Sequence, residues 1–330
     1  MGRVTIKDIA RAAGVTHATV SYAINTPHKV KKETREKILK LLEEMNYIPD
    51  SAARMLKMGK TRTIGVVVGS IGTIYTNEVM KGLEQAMADT VYDIKIYPTS
   101  AVHERREKIF DKMFMMRRED AMIINGWDWM NHREKLERMG IPIVLLEYEV
   151  EGRSSVAFDN FKSGYEAASY MIKKGAKNPA IVVGDTDFVY SQKQRYLGFK
   201  KALEENSLSF DRDLAVRVHN HEYDEGVGAL NCLLDSGKYF DAVFCAAGDL
   251  VAAGIMREAL AKGQVIPGDF SLMGHDETDY AEMFNLTTVK QPLAQMAKQA
   301  FKFAVEEAEG VIERKKKVEF QPEIIERKTV

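Results

Sequence analysis

Two cysteines in 330 residues, Cys232 and Cys245, are too few for a disulfide framework or a thiolate metal site. A reducing, intracellular setting fits that scarcity. The seven histidines show no metal-ligand spacing, and the chain has no G-x-x-x-x-G-K-[ST], no G-x-S-x-G and no H-E-x-x-H. Nothing in the motifs supports catalysis, so the expectation is a binding protein without cofactor or metal. Long hydrophobic runs are also missing: "IPIVLL" and "IGVVV" are far short of a membrane span, and the opening "MGRVTIKDIA" lacks the apolar core of a secretion signal. These absences predict a cytoplasmic protein with no membrane partner.

What is present is ordinary in amount and uneven in distribution. Hydrophobic residues make up 45% and charged residues 29%, values of a soluble globular chain long enough for about two domains. The net charge of −1 conceals an asymmetry. Residues 1–62 hold thirteen Lys/Arg against six Asp/Glu, and the remainder holds 34 against 42. A basic head on an acidic body points to a polyanion as partner of the head alone.

From Arg62 onward, short β-branched runs alternate with amphipathic stretches. "TIGVVV", "DIKIYP", "AMIIN", "IPIVLLE", "SSVAFD", "PAIVVG", "LAVRV", "DAVFCA" and "FSLMG" read as strands, and "VEFQPEIIER" as a last one. Helical patterns occupy 77–89, 104–117, 131–139, 160–174, 191–206, 224–236 and 250–262. This alternation predicts parallel sheets covered on both faces, in two doubly wound halves. Ligands then bind at the carboxyl ends of the strands, where loops of both halves meet across a cleft.

The head has another texture. In "DIARAAGVTHATVSYAIN", Ile6, Ile9, Ala10 and Ala13 make one apolar face, Gly14 supplies a turn, and Thr16 caps a second helix turned inward through Val20 and Ile24. His17, Ala18, Ser21, Tyr22 and Asn25 are left outward, the arrangement of a helix-turn-helix or of an ordinary helical hairpin. The charge favours DNA. Ile38, Leu41, Leu42 and Met45 give a third helix its packing face; Pro49 stops it, and "PDSAARMLKMGKT" follows as a segment too short to be a stable helix alone.

The resemblance now becomes specific. "TIKDIARAAGV", "TVS", "ETREKI" and "NYIPDSAARML" resemble, without gaps, the headpiece of the LacI/GalR family of transcriptional repressors. "FDNFKSGYEAASYMIKKG", "RYLGFKKAL", "LTTVKQP" and "PEIIERKTV" extend the similarity over essentially the whole chain. It implies a helix-turn-helix headpiece (1–48), a hinge helix (49–62) and a periplasmic-binding-protein-like core (63–330). The core's first subdomain would take about 63–159 plus 291–319, and its second about 160–290 plus 320–330.

Carried over residue by residue, the resemblance implies that Thr16, Thr19 and Ser21 position the second helix on phosphates, while His17, Ala18 and Tyr22 face bases. Phosphate contacts give affinity and base contacts give sequence preference. Thr5, Asn25, His28, Lys29, Tyr47, Ala53 and Arg54 complete the expected DNA surface. Leu56 matches the family's hinge leucine, an apolar wedge that kinks the duplex from the minor groove. Tyr22 stands where members commonly carry arginine.

For the core, the resemblance implies a small-molecule effector, most often a sugar, with Arg195 and Asp276 as its arginine and its hydroxyl-binding aspartate. Tyr75, Asn125, Trp127, Trp129, Asp159, Tyr223 and Asp249 are further candidates, by their positions in the cleft loops and by sugar chemistry. Asp159 and Asp249 fit equally well as helix caps, and Tyr75 as packing. Gly248 occupies a place where sugar-binding members often carry an amide, which suggests a roomier pocket and a disaccharide. The expected protein is a homodimeric repressor on a pseudo-palindromic operator, induced by a mono- or oligosaccharide. A regulator gated also by a partner protein, and a solute-binding protein, are the alternatives. No heptad extension follows the last strand, which favours a dimer over a tail-linked tetramer.

Overall fold

A computed structural model describes residues 4–47, 59–99, 103–116, 118–187, 189–311 and 314–330. Within it the chain divides into two compact units, residues 1–61 and 62–330. Residues 49–58 of the expected hinge segment, with Ala53, Arg54 and Leu56, lie outside the described residues, as do the side chains of Asn25, Asn125, Trp127 and Trp129.

The head is built from α1 (Ile6–Ala13), α2 (His17–Asn25) and α3 (Lys32–Glu44). Thr5 opens α1, with its backbone N–H and its hydroxyl both donating to Asp8 at 3.0 and 2.6 Å. The turn at Gly14 leads to Thr16, whose hydroxyl accepts from the Thr19 N–H at 3.2 Å and so starts α2. Ile9, Ala10, Ala13, Val20, Ala23 and Ile38 form the buried centre; Ile6, Ile24, Leu41, Leu42 and Met45 close around it. Lys37 ties α3 to α1 by donating to the Ala13 carbonyl at 3.0 Å.

The second unit contains two six-stranded sheets. The first has the order β11-β5-β4-β3-β1-β2 and the second β12-β10-β9-β8-β6-β7. In chain order the strands are β1 (Thr63–Val68), β2 (Asp93–Pro98), β3 (Ala121–Asn125), β4 (Ile143–Leu146), β5 (Ser154–Phe158), β6 (Pro179–Val183), β7 (Ala215–Arg217), β8 (Ala242–Cys245), β9 (Ser271–Asp276), β10 (Thr287–Lys290), β11 (Lys317–Phe320) and β12 (Glu323–Ile325). Every pairing is parallel except β10 with β12. The central strands β4, β5, β6 and β8 are buried along their whole length, as strands covered by helices on both faces must be.

The covering helices are α4 (Ile74–Met87), α5 (His103–Met116), α6 (Gly126–Glu137), α7 (Asn160–Lys173), α8 (Tyr190–Glu205), α9 (Tyr223–Asp235), α10 (Asp249–Ala261), a short α11 (Asp279–Met283) and α12 (Leu293–Ala308). The chain passes from one sheet to the other three times: between β5 and α7 at Asp159, between β10 and α12 at Gln291–Pro292, and between β11 and β12 at Gln321–Pro322.

Three expectations need correction. "VEFQPEIIER" is two strands in different sheets, because Pro322 has no N–H to continue a ladder and the chain leaves the first sheet there. The stretch expected as a cleft loop around Trp127 and Trp129 is helical: β3 ends at Asn125, and α6 begins at Gly126 and carries a non-helical residue, His132, beside the expected start at 131. Strand β10 and helices α11 and α12 were not anticipated as elements.

Helices α7 and α8 approach closely enough that a Cβ on Gly164 would lie 2.0 Å from the Arg195 carbonyl oxygen. Gly164→Ala is therefore expected to cost about 1–3 kcal/mol by overpacking, seen as a lower thermal midpoint. An unchanged midpoint would show that the crossing gives way at no cost. Because the clash is with the backbone of Arg195, the substitution also displaces the residue at the centre of the cleft.

Candidate functional site

The carboxyl ends of the parallel strands in both sheets converge on one group of side chains, with Arg195 at its centre. It sits in the second turn of α8 and is 3% exposed. Nε donates to Asn160 Oδ1 at 2.8 Å, Nη1 to the Ala246 carbonyl at 2.8 Å and Nη2 to Gln291 Oε1 at 2.7 Å. Asp276, at the end of β9, lies 3.9 Å from Nη2 through Oδ1. Neutral acceptors thus hold the guanidinium fork in place, and its charge faces the carboxylate across a short gap.

Gln291 reaches in both directions. While its oxygen accepts from Arg195, its Nε2 donates to Glu147 Oε1 at 2.7 Å. Glu147 follows β4 in a left-handed conformation, φ +65°, and its other oxygen accepts from the Tyr75 hydroxyl at 2.9 Å. Burial pushes the Glu147 carboxyl up, against the pull of Arg195 and of the two hydrogen bonds. A chain of polar contacts therefore runs from Tyr75 in the first half, through Gln291 at a crossover, to Arg195 in the second.

Asp276 is held in the opposite direction. Burial alone would push its carboxyl up, but the hydrogen bond from His275 Nδ1 at 2.6 Å, the Arg195 cation and His221 outweigh it, leaving the group at about 2. His275 is pushed down to about 4, by burial first and then by Arg195. At neutral pH the imidazole is neutral and Nδ1 carries the proton it shares with the carboxylate; Nε2 lies 3.3 Å from Ser163 Oγ, whose hydroxyl donates to the Asn160 carbonyl at 3.0 Å.

The structure brings Tyr75, Arg195 and Asp276 together and gives other candidates different duties. Asp159 caps α7, accepting from the Lys162 N–H at 2.8 Å. Asp249 is 1% exposed, and both its oxygens are occupied: Oδ2 by the Thr278 N–H at 2.7 Å and hydroxyl at 3.1 Å, Oδ1 by the Thr288 hydroxyl at 2.6 Å. From this buried position it braces two loops. Tyr223 opens α9 with its backbone against Gly254 of α10. His221, two residues earlier and missed in the sequence, faces Gly184 and puts Nδ1 2.8 Å from the Ala247 carbonyl, with φ +56°.

Glu147, Gln291 and Asn160 were missed as well. So was Tyr148, whose ring meets Tyr190 of α8 edge-on at 4.8 Å. No local spacing announces these residues, because their partners lie far away along the chain. The unusual glycine is Gly248, φ +118°, where a Cβ would stand 3.0 Å from Asp276 Oδ2. Its bare backbone leaves that carboxylate oxygen accessible.

Burial first, and then the nearby Asp276, push the Asp249 carboxyl up to about 8. The folded state therefore holds more protons than the unfolded one between about 4 and about 8. Stability from this group is full at low pH and falls as pH rises through that window, by up to ~1.4 kcal/mol per pH unit. Asp249→Asn removes the titration, so its stability relative to wild type, from urea unfolding at pH 5 and pH 8, is expected to improve at the higher pH. A constant difference would show that Asp249 does not titrate there.

In the head, Thr16, His17, Ala18, Tyr22, His28 and Lys29 are exposed, Thr19 and Ser21 are half-buried, and Thr5 is exposed at the start of α1. Tyr22 is 40% exposed, and the Lys29 ammonium stands 5.4 Å from the centre of its ring. Tyr47 differs from the others: it packs on the core of the head. His17 and Ala18 in the first turn of α2, and Tyr22 one turn on, thus lie on its exposed face, while Val20 packs into the core of the head.

Comparison with known proteins agrees with both units. The family model of bacterial regulatory proteins of the lacI family matches residues 5–50, and that of the periplasmic binding protein-like domain matches 168–330. The HTH-type transcriptional repressor PurR of Vibrio atlanticus (strain LGP32) is 34% identical, covering 99% of this chain and 98% of that protein. Among solved structures, the lac repressor dimer bound to operator and the anti-inducer ONPF has a TM-score of 0.87 at 22% identity, with 99% of each chain covered. A transcriptional regulator CelR–cellobiose complex has a TM-score of 0.73 at 24% identity, covering 99% of this chain and 100% of the other.

Proposed function

The chain belongs to the LacI family of bacterial regulatory proteins, as a DNA-binding repressor with an effector-binding core, and we propose that it leaves its operator when a neutral sugar of disaccharide size fills the cleft around Arg195. Like its family it is a regulator and not an enzyme. The proposed assembly is a cytoplasmic homodimer on a pseudo-palindromic site. Two-fold protein symmetry then matches two half-sites about one helical turn or a simple multiple apart. Residues 49–62 are the proposed hinge, with Leu56 as the wedge between base pairs.

The observation that carries the ligand class is the charge arrangement at Arg195. One guanidinium, most of whose donors are held by neutral acceptors, faces two carboxylates, Asp276 and Glu147. Such a site pairs with the hydroxyls of a polyol, which donate and accept together, and rejects an additional anion. Ligand size rests on Gly248, where even a Cβ would stand 3.0 Å from Asp276 Oδ2, so that the glycine keeps this carboxylate oxygen clear for a ligand hydroxyl where a side chain would crowd it. The solved relative in complex with cellobiose supports a sugar of this size.

Binding tied to both halves of the core would rotate them and alter how the hinges meet DNA, a coupling typically worth 1–3 kcal/mol. The test is fluorescence anisotropy with operator DNA and calorimetry on the full chain, using cellobiose, lactose, maltose, their component monosaccharides, sugar phosphates and free purine bases. A neutral disaccharide that binds and releases DNA is the expected result. Preference for a monosaccharide overturns the size, preference for a phosphate or a base overturns the class, and operator binding indifferent to every small molecule favours gating by a partner protein.

A further inference from the structure

The end of β9 adopts a backbone that its sequence does not favour. Asp276 and the residue after it, Glu277, both have positive φ, +97° and +57°. Residues with side chains rarely enter this region, and they remain there only where the surroundings over-determine it. Two such residues in succession, one of them bearing the carboxylate opposite Arg195, require something to hold them.

The hold on Glu277 comes from the last segment of the chain. Arg327 grips it with two donors, Nη1 to Oε2 at 2.8 Å and Nη2 to Oε1 at 2.5 Å. Nη1 also donates to the Leu286 carbonyl at 2.9 Å, and the Arg327 N–H donates to the Thr287 hydroxyl at 3.0 Å. The pair is largely enclosed, with side chains 17% and 23% exposed. On the other side, Asp249 takes the N–H of Thr278, the next residue along. Neither Arg327 nor Glu277 has a contact with Arg195 or His275 among the described hydrogen bonds and ion pairs.

We propose that Arg327 is a positioning residue for the cleft: its two-pronged grip on Glu277 keeps residues 276 and 277 left-handed, and this aims the Asp276 carboxylate at Arg195 and His275. A forked guanidinium on a carboxylate resists rotation in the plane of the pair, which a single ammonium does not. Released, the two residues relax to negative φ, and that change swings the Asp276 side chain off the His275 ring. For its consequence in ligand binding the inference rests on the cleft being the effector site; for the placement of Asp276 it does not.

The test therefore reads Asp276 without ligand. The Nδ1–H of His275, donated to a carboxylate at 2.6 Å, is a short charge-assisted hydrogen bond whose proton resonates far downfield and exchanges slowly. With the full chain labelled with ¹⁵N-histidine, that resonance is compared in wild type, Arg327→Lys, Arg327→Met, Glu277→Gln and Lys174→Met. The last variant breaks an ion pair with Glu326, on the same terminal segment, and serves as the control for general loosening. The expected result is loss of the resonance, or exchange at least ~10-fold faster, in the Arg327 and Glu277 variants, with Lys174→Met like wild type.

An unchanged resonance in Arg327→Lys and Glu277→Gln, whose milder changes keep the fold, overturns the proposal. So does equal loss in Lys174→Met, which would reduce the effect to stability of the segment. Cellobiose titration is the second arm: where wild type binds it, Arg327→Lys is expected to bind about tenfold more weakly. Failure of wild type to bind cellobiose counts against the sugar reading alone, since the His275 signal is read without it.

Discussion

Arg195→Met is expected to abolish the response to effector while the ligand-free protein still binds operator. The substitution keeps a long apolar stem but withdraws every donor from Asn160 Oδ1, the Ala246 carbonyl and Gln291 Oε1, and leaves Asp276 without its nearest cation. Removing one partner from a buried charged network costs about 3–5 kcal/mol, chiefly because the remaining groups stay buried and unpaired. For a unit of this size that is a fall in thermal midpoint of roughly 10 °C. The head has a core of its own, so its unfolding should not shift with that of the larger unit. Anisotropy with operator DNA, with and without ligand, decides the matter. A variant that binds DNA and still releases it on ligand addition would remove Arg195 from the site.

The second large effect is expected at Tyr22. Exposed on α2 with the Lys29 ammonium 5.4 Å above its ring, it offers one hydroxyl and an apolar face in place of a guanidinium fork. A bidentate arginine–guanine contact discriminates by about 1–3 kcal/mol, and a single hydroxyl with methyl packing by less. Tyr22→Arg is therefore expected to create a guanine preference at the position the residue meets, about 5- to 150-fold by the same figure. Lys29→Ala, by contrast, should weaken binding on all sequences and lower the salt slope by about one unit. Selection from random DNA with the three proteins distinguishes the two roles; identical half-sites for wild type and Tyr22→Arg would show that residue 22 does not read bases.

The head was legible almost side chain by side chain, because its local rules agree: Thr16 caps, Gly14 turns, and Ile6, Ile9, Ala10 and Ala13 recur at helical spacing. The strand runs of the core were legible for the same reason, buried β-branched residues between turns. Strand β10 was hidden by its composition. Thr287 and Thr288 are fully buried yet polar, and their hydroxyls are acceptable there only because the Arg327 N–H and the Asp249 carboxyl supply hydrogen bonds from distant positions. Helix α12 is another matter: Leu293, Met296, Ala297, Ala300, Phe301 and Ala304 follow helical spacing and were open to the same reading as the others.

In the cleft, Arg195 and Asp276 came from resemblance to a family. Glu147, Gln291 and His221 could not be found by any local pattern, since their roles arise from which strand ends face one another. The choice of Tyr223 followed ring chemistry, and His221, two residues earlier, carries no such signal although it lies near the Asp276 carboxylate. Asp249 shows the converse: a carboxylate at the carboxyl end of a strand reads as a ligand group, and only its three hydrogen bonds reveal a brace.

The strand switch at Gln321–Pro322 has a consequence for synthesis on the ribosome. Both sheets receive an edge strand from residues 317–325, so neither is complete until those residues have emerged. The head, whose core closes within residues 4–47, is free to fold while the rest is still being made. During that interval β5 and β10 carry unpaired edges, the kind of surface that invites association between nascent chains. A DNA-binding head thus becomes available before the sensor that governs it, and the last nine residues of strand and turn bring both lobes under control together.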